Sequence, residues 1–478
     1  MRKNKFYITT TLPYVNAKPH IGFALEIIQA DVIARYQRTL GKEVIFNTGT
    51  DEHGQKIYNK ALEQDLDPQA YCDKLAPDFE ILKDKLNLSY THFIRTTNPD
   101  HIKAAQKFWE LCQENGDIYK KLYQTKYCVG CELEKTDSEL EDGKCPLHPK
   151  DEIEIREEEN YFFSFSKYAE KLLKHYSENP EFVLPKEKLN EIKVFMENGL
   201  KDFSISRLKS KMPWGIPVPG DPEHVMYVWF EALVNYISTL GWPADVEHFK
   251  DFWPGIQIAG KDNLRQQSAM WPAMLLSAGL QPPAQVLIHG FISSDGQKMS
   301  KSLGNVVDPL EIVDKYGTDV LRYYLLKEIP TFKDGDFTIE RFEDVYNADL
   351  ANGLGNLVSR IANMIVKYND GQIPQTTEQA QKIDIKNYLE SFRLDLALKQ
   401  LWKHVAAADK YIEKNKPWEL AKTDLDLVKN ILGKLALDVK IIADNLEIFL
   451  PQTADKIKAM FKNGKVGEIK PLFPRLEK

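Results

Sequence analysis

Residues Phe6 to Ala30 read FYITTTLPYVNAKPHIGFALEIIQA, and their order of residue types is strand, tight loop, helix. Phe6, Tyr7, Ile8 and the three threonines after them form a β-branched and aromatic run that Pro13 ends, the pattern of a short buried strand. A polar loop follows, with Pro19 suited to a first helical position. Ile21, Ala24, Leu25, Ile28 and Val32 then recur at helical spacing, which predicts a helix to about Gly41. Glu43 to Asn47 (EVIFN) reads as a second buried strand. Strand, helix and strand make a right-handed βαβ unit, with ligands expected at the carboxyl ends of its strands.

The predicted helix start leaves backbone N–H groups unpaired at the positive end of the helix dipole, so phosphate is a natural ligand there. Gly22 lets a ligand approach the backbone, and His20 can donate a hydrogen bond. Read alone, the same residues are a plain helix start with a capping histidine. EVIFN runs into Thr48-Gly49-Thr50-Asp51-Glu52-His53-Gly54, which puts Asp51 and His53 at the sheet edge. The plainer reading of Asp51 is a cap for the next helix.

A chain of 478 residues holds roughly three domains by length, and 43% hydrophobic residues against 28% charged allow a sizeable core. No apolar run reaches the ~18 residues of a membrane span, and the start, MRKNKFYITTT, lacks the apolar core of a signal peptide. A cytoplasmic protein with no membrane partner is expected. Five cysteines, three of them clustered, do not make a disulfide framework. The net charge of −7 argues against an indiscriminate nucleic-acid coat but permits a local basic face. Tyr346 to Lys478 carries 21 Lys and Arg against 17 Asp and Glu, so the rest of the chain stands at −11 and the carboxyl-terminal third is the better polyanion partner.

From about Asp100 to Glu223, alternating helical and polar stretches replace the strands. Within them lies Cys128-Val129-Gly130-Cys131 and, after thirteen residues, Cys145-Pro146-Leu147-His148. Two short chelating turns, each offering two soft or imidazole donors, match what tetrahedral zinc requires, and the polar stretch between them carries no core of its own. A redox Cys-x-x-Cys pair is the alternative, without a thioredoxin-like context to support it.

Strand signals return at Val225 to Trp229, and a helix follows with Trp229, Ala232, Leu233 and Tyr236 on one face, either core packing or a pocket wall. Ile256 to Ala259 is a short strand after which Gly260-Lys261-Asp262 opens a helix. Asp262 suits a ribose hydroxyl, or a helix cap. Val286 to Ile292 (VLIHGFI) is the next strand, then a turn at Ser293-Ser294-Asp295-Gly296, then Lys298-Met299-Ser300-Lys301-Ser302. Two lysines and two serines on such a loop are a solvated turn by themselves; at the same sheet edge as His20 they are a phosphate clamp.

HIGF at residues 20–23 and KMSKS at 298–302, separated by a strand-rich core and a zinc insertion, resemble the signatures of the class I aminoacyl-tRNA synthetases. GTDEHGQKI (49–57), the single zinc knuckle and the Trp229 helix narrow the resemblance to the methionyl-tRNA synthetases, over almost the whole chain. The resemblance implies an α/β fold: a Rossmann-type parallel-sheet catalytic domain split into residues 1–99 and 225–292. A connective insertion (100–224) carries the knuckle (128–148), a linking segment with the KMSKS loop spans 293–345, and a helical anticodon-binding bundle spans 346–478. It also implies the reaction, in which methionine and ATP give methionyl-adenylate and pyrophosphate, and the methionyl group then moves to the 3′ end of tRNA(Met).

The family's roles carry over by position. His20, Lys298 and Lys301 are the catalytic candidates, and His20, Gly22, Phe23, Glu26, Gly260, Asp262, His289, Gly290, Lys298, Ser300 and Lys301 the ATP set. Leu12, Tyr14, Asp51, Trp229, Ala232, Leu233, Tyr236, Asn263 and Gln267 are the methionine set, with Asp51 pairing with the ammonium and the aromatic residues enclosing the thioether. Asn356, Arg360 and Trp418 would read the anticodon by hydrogen bonding and stacking. Cys128, Cys131, Cys145 and His148 would hold one structural Zn2+, and Mg2+ would accompany ATP. A monomer is expected, since the sequence ends without the dimerising domain that some members append.

Two departures stand out. Phe23 replaces the histidine that usually ends the first signature, removing one phosphate donor. Gln266-Gln267 and Asn263 stand where many members carry a more apolar or aromatic set ending in histidine, so the back of the amino-acid pocket is expected to be more polar. The competing functions are a class I synthetase for another amino acid, such as cysteine, and a non-catalytic tRNA-binding or amino-acid-sensing relative. Placing all four metal ligands in one 21-residue knuckle leaves no open position for a substrate thiolate, which favours methionine.

Overall fold

Six strands form one sheet: β1 (Lys5–Thr9), β2 (Glu43–Thr50), β3 (His92–Arg95), β4 (Val183–Leu184), β5 (Ile256–Gly260) and β6 (Gln285–His289). They lie in the order β3-β2-β1-β5-β6-β4. β1 pairs in parallel with β2 and with β5, with Ile8 opposite both Phe46 and Ile256. β2 pairs in parallel with β3, and β6 with β4. Burial is nearly continuous along β1, β2 and β5, as a parallel sheet covered on both faces requires, which is why their sequences read as unbroken apolar runs. The chain order reverses direction across β1, between β2 and β5. That is a topological switch point, where ligands of open α/β sheets bind.

The computed structural model describes residues 4–135, 139–299, 304–380 and 382–477, and the chain divides into two compact units. The first holds Met1–Pro19, Gly41–Ile81 and Tyr90–Ile288; the second holds His20–Leu40, Leu82–Ser89 and His289–Lys478. The core of the first unit gathers Trp109, Phe108, Phe230, Tyr236 and Trp271. Its helix Pro99–Glu114 starts on an Asn98 cap that accepts from the Asp100 amide, with Pro99 at the first position.

The second unit contains the helix Ile21–Thr39, buried almost all round, and an α-helical region with the long helices Asn356–Asn369, Leu394–Asn415 and Leu425–Leu446. Arg322, fully buried, pairs with Asp31 at 2.8 Å and donates to the carbonyls of Leu86 and Phe449. Among the described residues no helix is long and apolar enough to cross a membrane.

The α/β class, the parallel sheet and the helical carboxyl-terminal region match the sequence reading. Four local expectations do not hold. Pro19 precedes the first helix, and His20 takes the cap position. The expected strand Val225–Trp229 runs instead over Asp221–Met226, with the helix beginning at Val228. VLIHGFI is not one strand: β6 ends at His289, and Ile292–Ser294 pairs with Gln297–Lys298 and Gly335–Phe337 in another sheet. Gly290 marks the break, because a Cβ there would meet the Lys333 carbonyl carbon at 2.2 Å.

The insertion is also not free of strands. Ile118–Cys128 and Ile153–Phe163 form a long antiparallel ribbon, joined by Leu133–Lys135 and Phe203–Ser204, and β4 itself comes from the insertion. The ribbon's middle is largely solvent-exposed on both faces, so its residues show no apolar alternation to read.

Candidate active site

Three loops of the first unit leave the carboxyl ends of neighbouring strands and carry sequence-predicted residues: Leu12 and Tyr14 after β1, Asp51 after β2, Asp262 and Asn263 after β5. Tyr14 and Asp51 form a parallel bridge, in which the Val15 amide donates to Asp51 O at 3.1 Å and the Asp51 amide to Pro13 O at 3.0 Å. Tyr14 also packs with Trp229, Ala232, Tyr227 and Val228 in a small apolar cluster apart from the main core. Leu233 and Tyr236 belong to the main core instead. The predicted amino-acid set is therefore divided, with three of its members in one cluster and two in another.

Asp51 does not cap a helix, since the next one begins at Gln55 after Gly54. Its side chain is only 6% exposed, and Oδ1 has no hydrogen-bond partner. Burial, and then the Glu231 and Glu132 carboxylates, push Asp51 well above the ordinary carboxylate range. An ammonium placed against it would offset both effects. Gln267 donates to the Tyr236 hydroxyl at 2.6 Å, while its own Oε1, Gln266 Oε1 and both polar atoms of Gln257 are buried without protein partners. Such groups take ordered water or a ligand, so the expected polar character is present. Asn263 is half-buried in the turn Lys261–Asn263, and Asp262 lies exposed on it.

Sequence reasoning passed over Glu231, His101, Glu132 and Arg207. Glu231 is wholly buried between two imidazoles, with Oε1 3.1 Å from His53 Nδ1 and Oε2 3.0 Å from His101 Nε2. Glu132, buried and in a left-handed conformation, accepts the Lys56 amide at 2.7 Å. The Arg207 guanidinium lies 4.4 Å from the centre of the Tyr227 ring. A carboxylate inside the apolar stretch VWFEA was the one available signal for Glu231; the others have none at sequence level.

The metal site assembles as expected. Cys128, Cys131, Cys145 and His148 offer donor atoms that all lie within 4.8 Å of one another. Cys131 Sγ is 3.3 Å from Cys145 Sγ and 3.1 Å from His148 Nδ1, far beyond the ~2.05 Å of a disulfide. Zinc bonds of about 2.3 Å to sulfur and 2.0 Å to nitrogen bring such donors to comparable separations. Burial and the Cys145 thiol push Cys131 up to about 12, a crowding that a dication relieves by taking thiolates. Three thiols and one imidazole thus fit a closed tetrahedral Zn2+ site.

In the second unit, His20 caps the helix Ile21–Thr39 by accepting the Gly22 amide at Nδ1, 3.1 Å away. The proton of the neutral ring is then on Nε2, and the residue is exposed. Gly22 is needed for this cap, because a Cβ would sit 2.9 Å from the imidazole. Phe23 is buried. Glu26 and His289 are turned toward each other: Nε2 pairs with Glu26 at 2.9 Å and Nδ1–H donates to Gly290 O at 2.7 Å. Lys298 ends a hairpin whose Asp295-Gly296 turn has positive φ at both residues, as a two-residue type I′ turn demands. The Ile21 amide donates to Val307 O at 3.0 Å, so the chain leaving the loop is held at the head of the His20 helix. Ser300 and Lys301 lie outside the described residues.

Also in the second unit, Arg360 on the helix Asn356–Asn369 lies 5.9 Å from the centre of the Trp418 ring and pairs with Asp409 at 2.8 Å and Glu413 at 2.6 Å. Trp418 is 37% exposed, and Asn356 is exposed one turn before Arg360. These three predicted positions offer one aromatic face beside hydrogen-bonding groups.

Comparison with known proteins agrees. The profile of the family "tRNA synthetases class I (M)" matches residues 6–153 and 136–362. The chain is 46% identical over 472 residues to the methionine–tRNA ligase of Thermotoga maritima, covering 95% of this chain and 74% of that protein. It is 43% identical over 473 residues to the methionine–tRNA ligase of Thermosynechococcus vestitus, covering 95% and 89%. The solved structure of Mycobacterium tuberculosis methionyl-tRNA synthetase in complex with methionyl-adenylate superposes with a TM-score of 0.93 at 35% identity, covering 99% of this chain and 100% of that one.

Proposed function

The chain belongs to the methionyl-tRNA synthetases of class I, and on that premise we propose how its own residues carry the family's reaction. Methionine is joined to ATP as methionyl-adenylate with release of pyrophosphate, and the methionyl group is then transferred to the 3′ end of its tRNA. The observation that carries the assignment of residues is the buried Asp51 carboxylate, whose Oδ1 has no hydrogen-bond partner, beside an aromatic cluster.

Asp51 takes the substrate ammonium, an ion pair strengthened by its exclusion from water. Tyr14, Trp229 and Ala232 receive the side chain, where polarisable sulfur meets aromatic rings favourably. Leu12, Leu233 and Tyr236 shape the rest, and the Gln267 and Asn263 amides hydrate the floor.

Once bound, the methionine carboxylate attacks the α-phosphorus and pyrophosphate leaves, so charge builds on phosphate oxygens. His20 donates from Nε2, and the helix head behind it adds its N–H groups and dipole. Lys298 and Lys301 supply cations for the leaving pyrophosphate, and Mg2+ would accompany the triphosphate. Glu26 and His289, already bonded to each other, brace this region; Gly260, Asp262 and Gly290 line the nucleoside. Cys128, Cys131, Cys145 and His148 hold Zn2+ as a structural clip. Arg360, Asn356 and Trp418 engage unstacked anticodon bases. A cytoplasmic setting follows from this role in translation.

A charging assay tests the reading. The protein is expected to attach labelled methionine to tRNA(Met) in an ATP-dependent reaction. Binding of tRNA without any charging would favour the non-catalytic alternative.

A further inference from the structure

Glu231 has no part in the reaction as described, yet it is an enclosed carboxylate held by two imidazoles. Its position in the fold explains why. It sits on the helix Val228–Ala232, whose other residues include Trp229 and Ala232 of the aromatic cluster. Its carboxylate reaches His53, two residues after Asp51. Through His101 Nε2 the same network is pinned to the helix Pro99–Glu114, and His101 Nδ1, 3.0 Å from Ser238 Oγ, extends it to the helix Asn235–Ser238.

The loop Asp51–Gly54 is also secured by the buried Glu52 carboxylate, which pairs with Arg95 at 2.7 Å and accepts from the Thr50 and Thr97 hydroxyls, and through its backbone. The Tyr14 hydroxyl donates to His53 O, the Gly54 amide donates to Trp214 O at 3.2 Å, and Trp214 Nε1 donates to Glu52 O at 2.6 Å. Trp214 also packs against the His53 ring, with centroids 5.3 Å apart. The Glu231 carboxylate ties this loop to the element that bears the aromatic wall.

We propose that Glu231 is a positioning residue for the amino-acid substrate: by clamping His53 it fixes the separation between the ammonium anchor Asp51 and the wall formed by Trp229 and Ala232. The distance from ammonium to side chain is what defines an α-amino acid of a given length, so this clamp acts on substrate binding and not on phosphoryl chemistry. A loop released by even ~1 Å loses much of the benefit of a preformed site. The inference rests on the reading of Asp51 given above.

The test is methionine-dependent exchange of labelled pyrophosphate into ATP, comparing wild type with Glu231→Gln, His101→Asn and Asp51→Asn. Glu231→Gln keeps the size of the side chain and removes its charge. Its KM for methionine is expected to rise about tenfold or more, while kcat and the KM for ATP stay within about threefold. His101→Asn, which removes the outer tether alone, is expected to raise the methionine KM by a smaller factor. An unchanged methionine KM in Glu231→Gln, or a fall in kcat at constant KM, overturns the proposal. If that variant fails to fold, as a lost melting transition shows, His101→Asn decides by the same criterion. Asp51→Asn separates the two readings: if it leaves the methionine KM unchanged, the anchor itself is wrong and the clamp falls with it. If it raises KM while Glu231→Gln does not, only the clamp is wrong.

Discussion

The backbone amide of Ile21 donates to the carbonyl of Val307 at 3.0 Å, joining the head of the His20 helix to the chain that leaves the KMSKS loop. Val307, beyond the loop, is thus held beside His20, and the hairpin closed by Asp295-Gly296 precedes the loop.

The substitution Lys301→Ala is expected to slow adenylate formation by about 10²–10³, as for loss of one transition-state donor. Pyrophosphate exchange is the readout. A rate within a few-fold of wild type contradicts the role.

Asp51 sets a pH dependence whose sign follows from its surroundings. Burial and the neighbouring Glu231 and Glu132 hold its proton to higher pH than an ordinary carboxylate does, and the substrate ammonium favours the ionised form. Binding then releases a proton, so the methionine KM should fall as pH rises toward Asp51's own titration and level off above it, while the substrate amine stays charged. Asp51→Asn should remove that slope and raise KM by about 10²-fold. A slope of opposite sign, or one that persists in the variant, counts against the assignment.

Removing the metal should disturb the amino-acid pocket through Glu132, which follows Cys131 and accepts the Lys56 amide at 2.7 Å. Cys145→Ser is expected to lose the bound equivalent of zinc by elemental analysis. It should also expose the amides of residues 128–148 to hydrogen exchange and raise the methionine KM by about tenfold. Full zinc content in the variant refutes the ligand set.

The substitution Trp418→Ala should raise the KM for tRNA by about 10–100-fold, the worth of one base stack, with pyrophosphate exchange unaltered. Equal damage to both steps places Trp418 in general stability instead.

A stability prediction attaches to Arg322. Replacing it by methionine leaves the buried Asp31 carboxylate only Arg35 and Ser89 among its described partners and should cost about 2–3 kcal/mol in denaturant unfolding. Combining it with Asp31→Asn should cost less than the sum of the two single changes, since both break the same pair. An additive double variant contradicts the pairing.

What the sequence made legible followed from strong local patterns. Phe6–Tyr7–Ile8 and EVIFN are buried on both faces, so their apolar runs read directly as parallel strands. Cys128, Cys131, Cys145 and His148 announced themselves by donor type and spacing. The ribbon Ile118–Cys128 with Ile153–Phe163 was hidden because water, not a core, covers its middle. The break at Gly290 was hidden because only the passing Lys333 backbone explains it. Nor could spacing reveal that Glu231 reaches His53 and His101, residues brought together from distant parts of the chain. Buried charge networks are assembled by tertiary structure, and local sequence carries only the hint of a charge out of place.

The most direct test of the central claim, that the Asp51 site selects methionine for activation, is amino-acid-dependent exchange of labelled pyrophosphate into ATP, run with methionine, cysteine and leucine side by side. The account predicts rapid exchange with methionine and little with either competitor. Exchange driven equally by cysteine or leucine, or none with methionine from a protein that still binds tRNA, would contradict it.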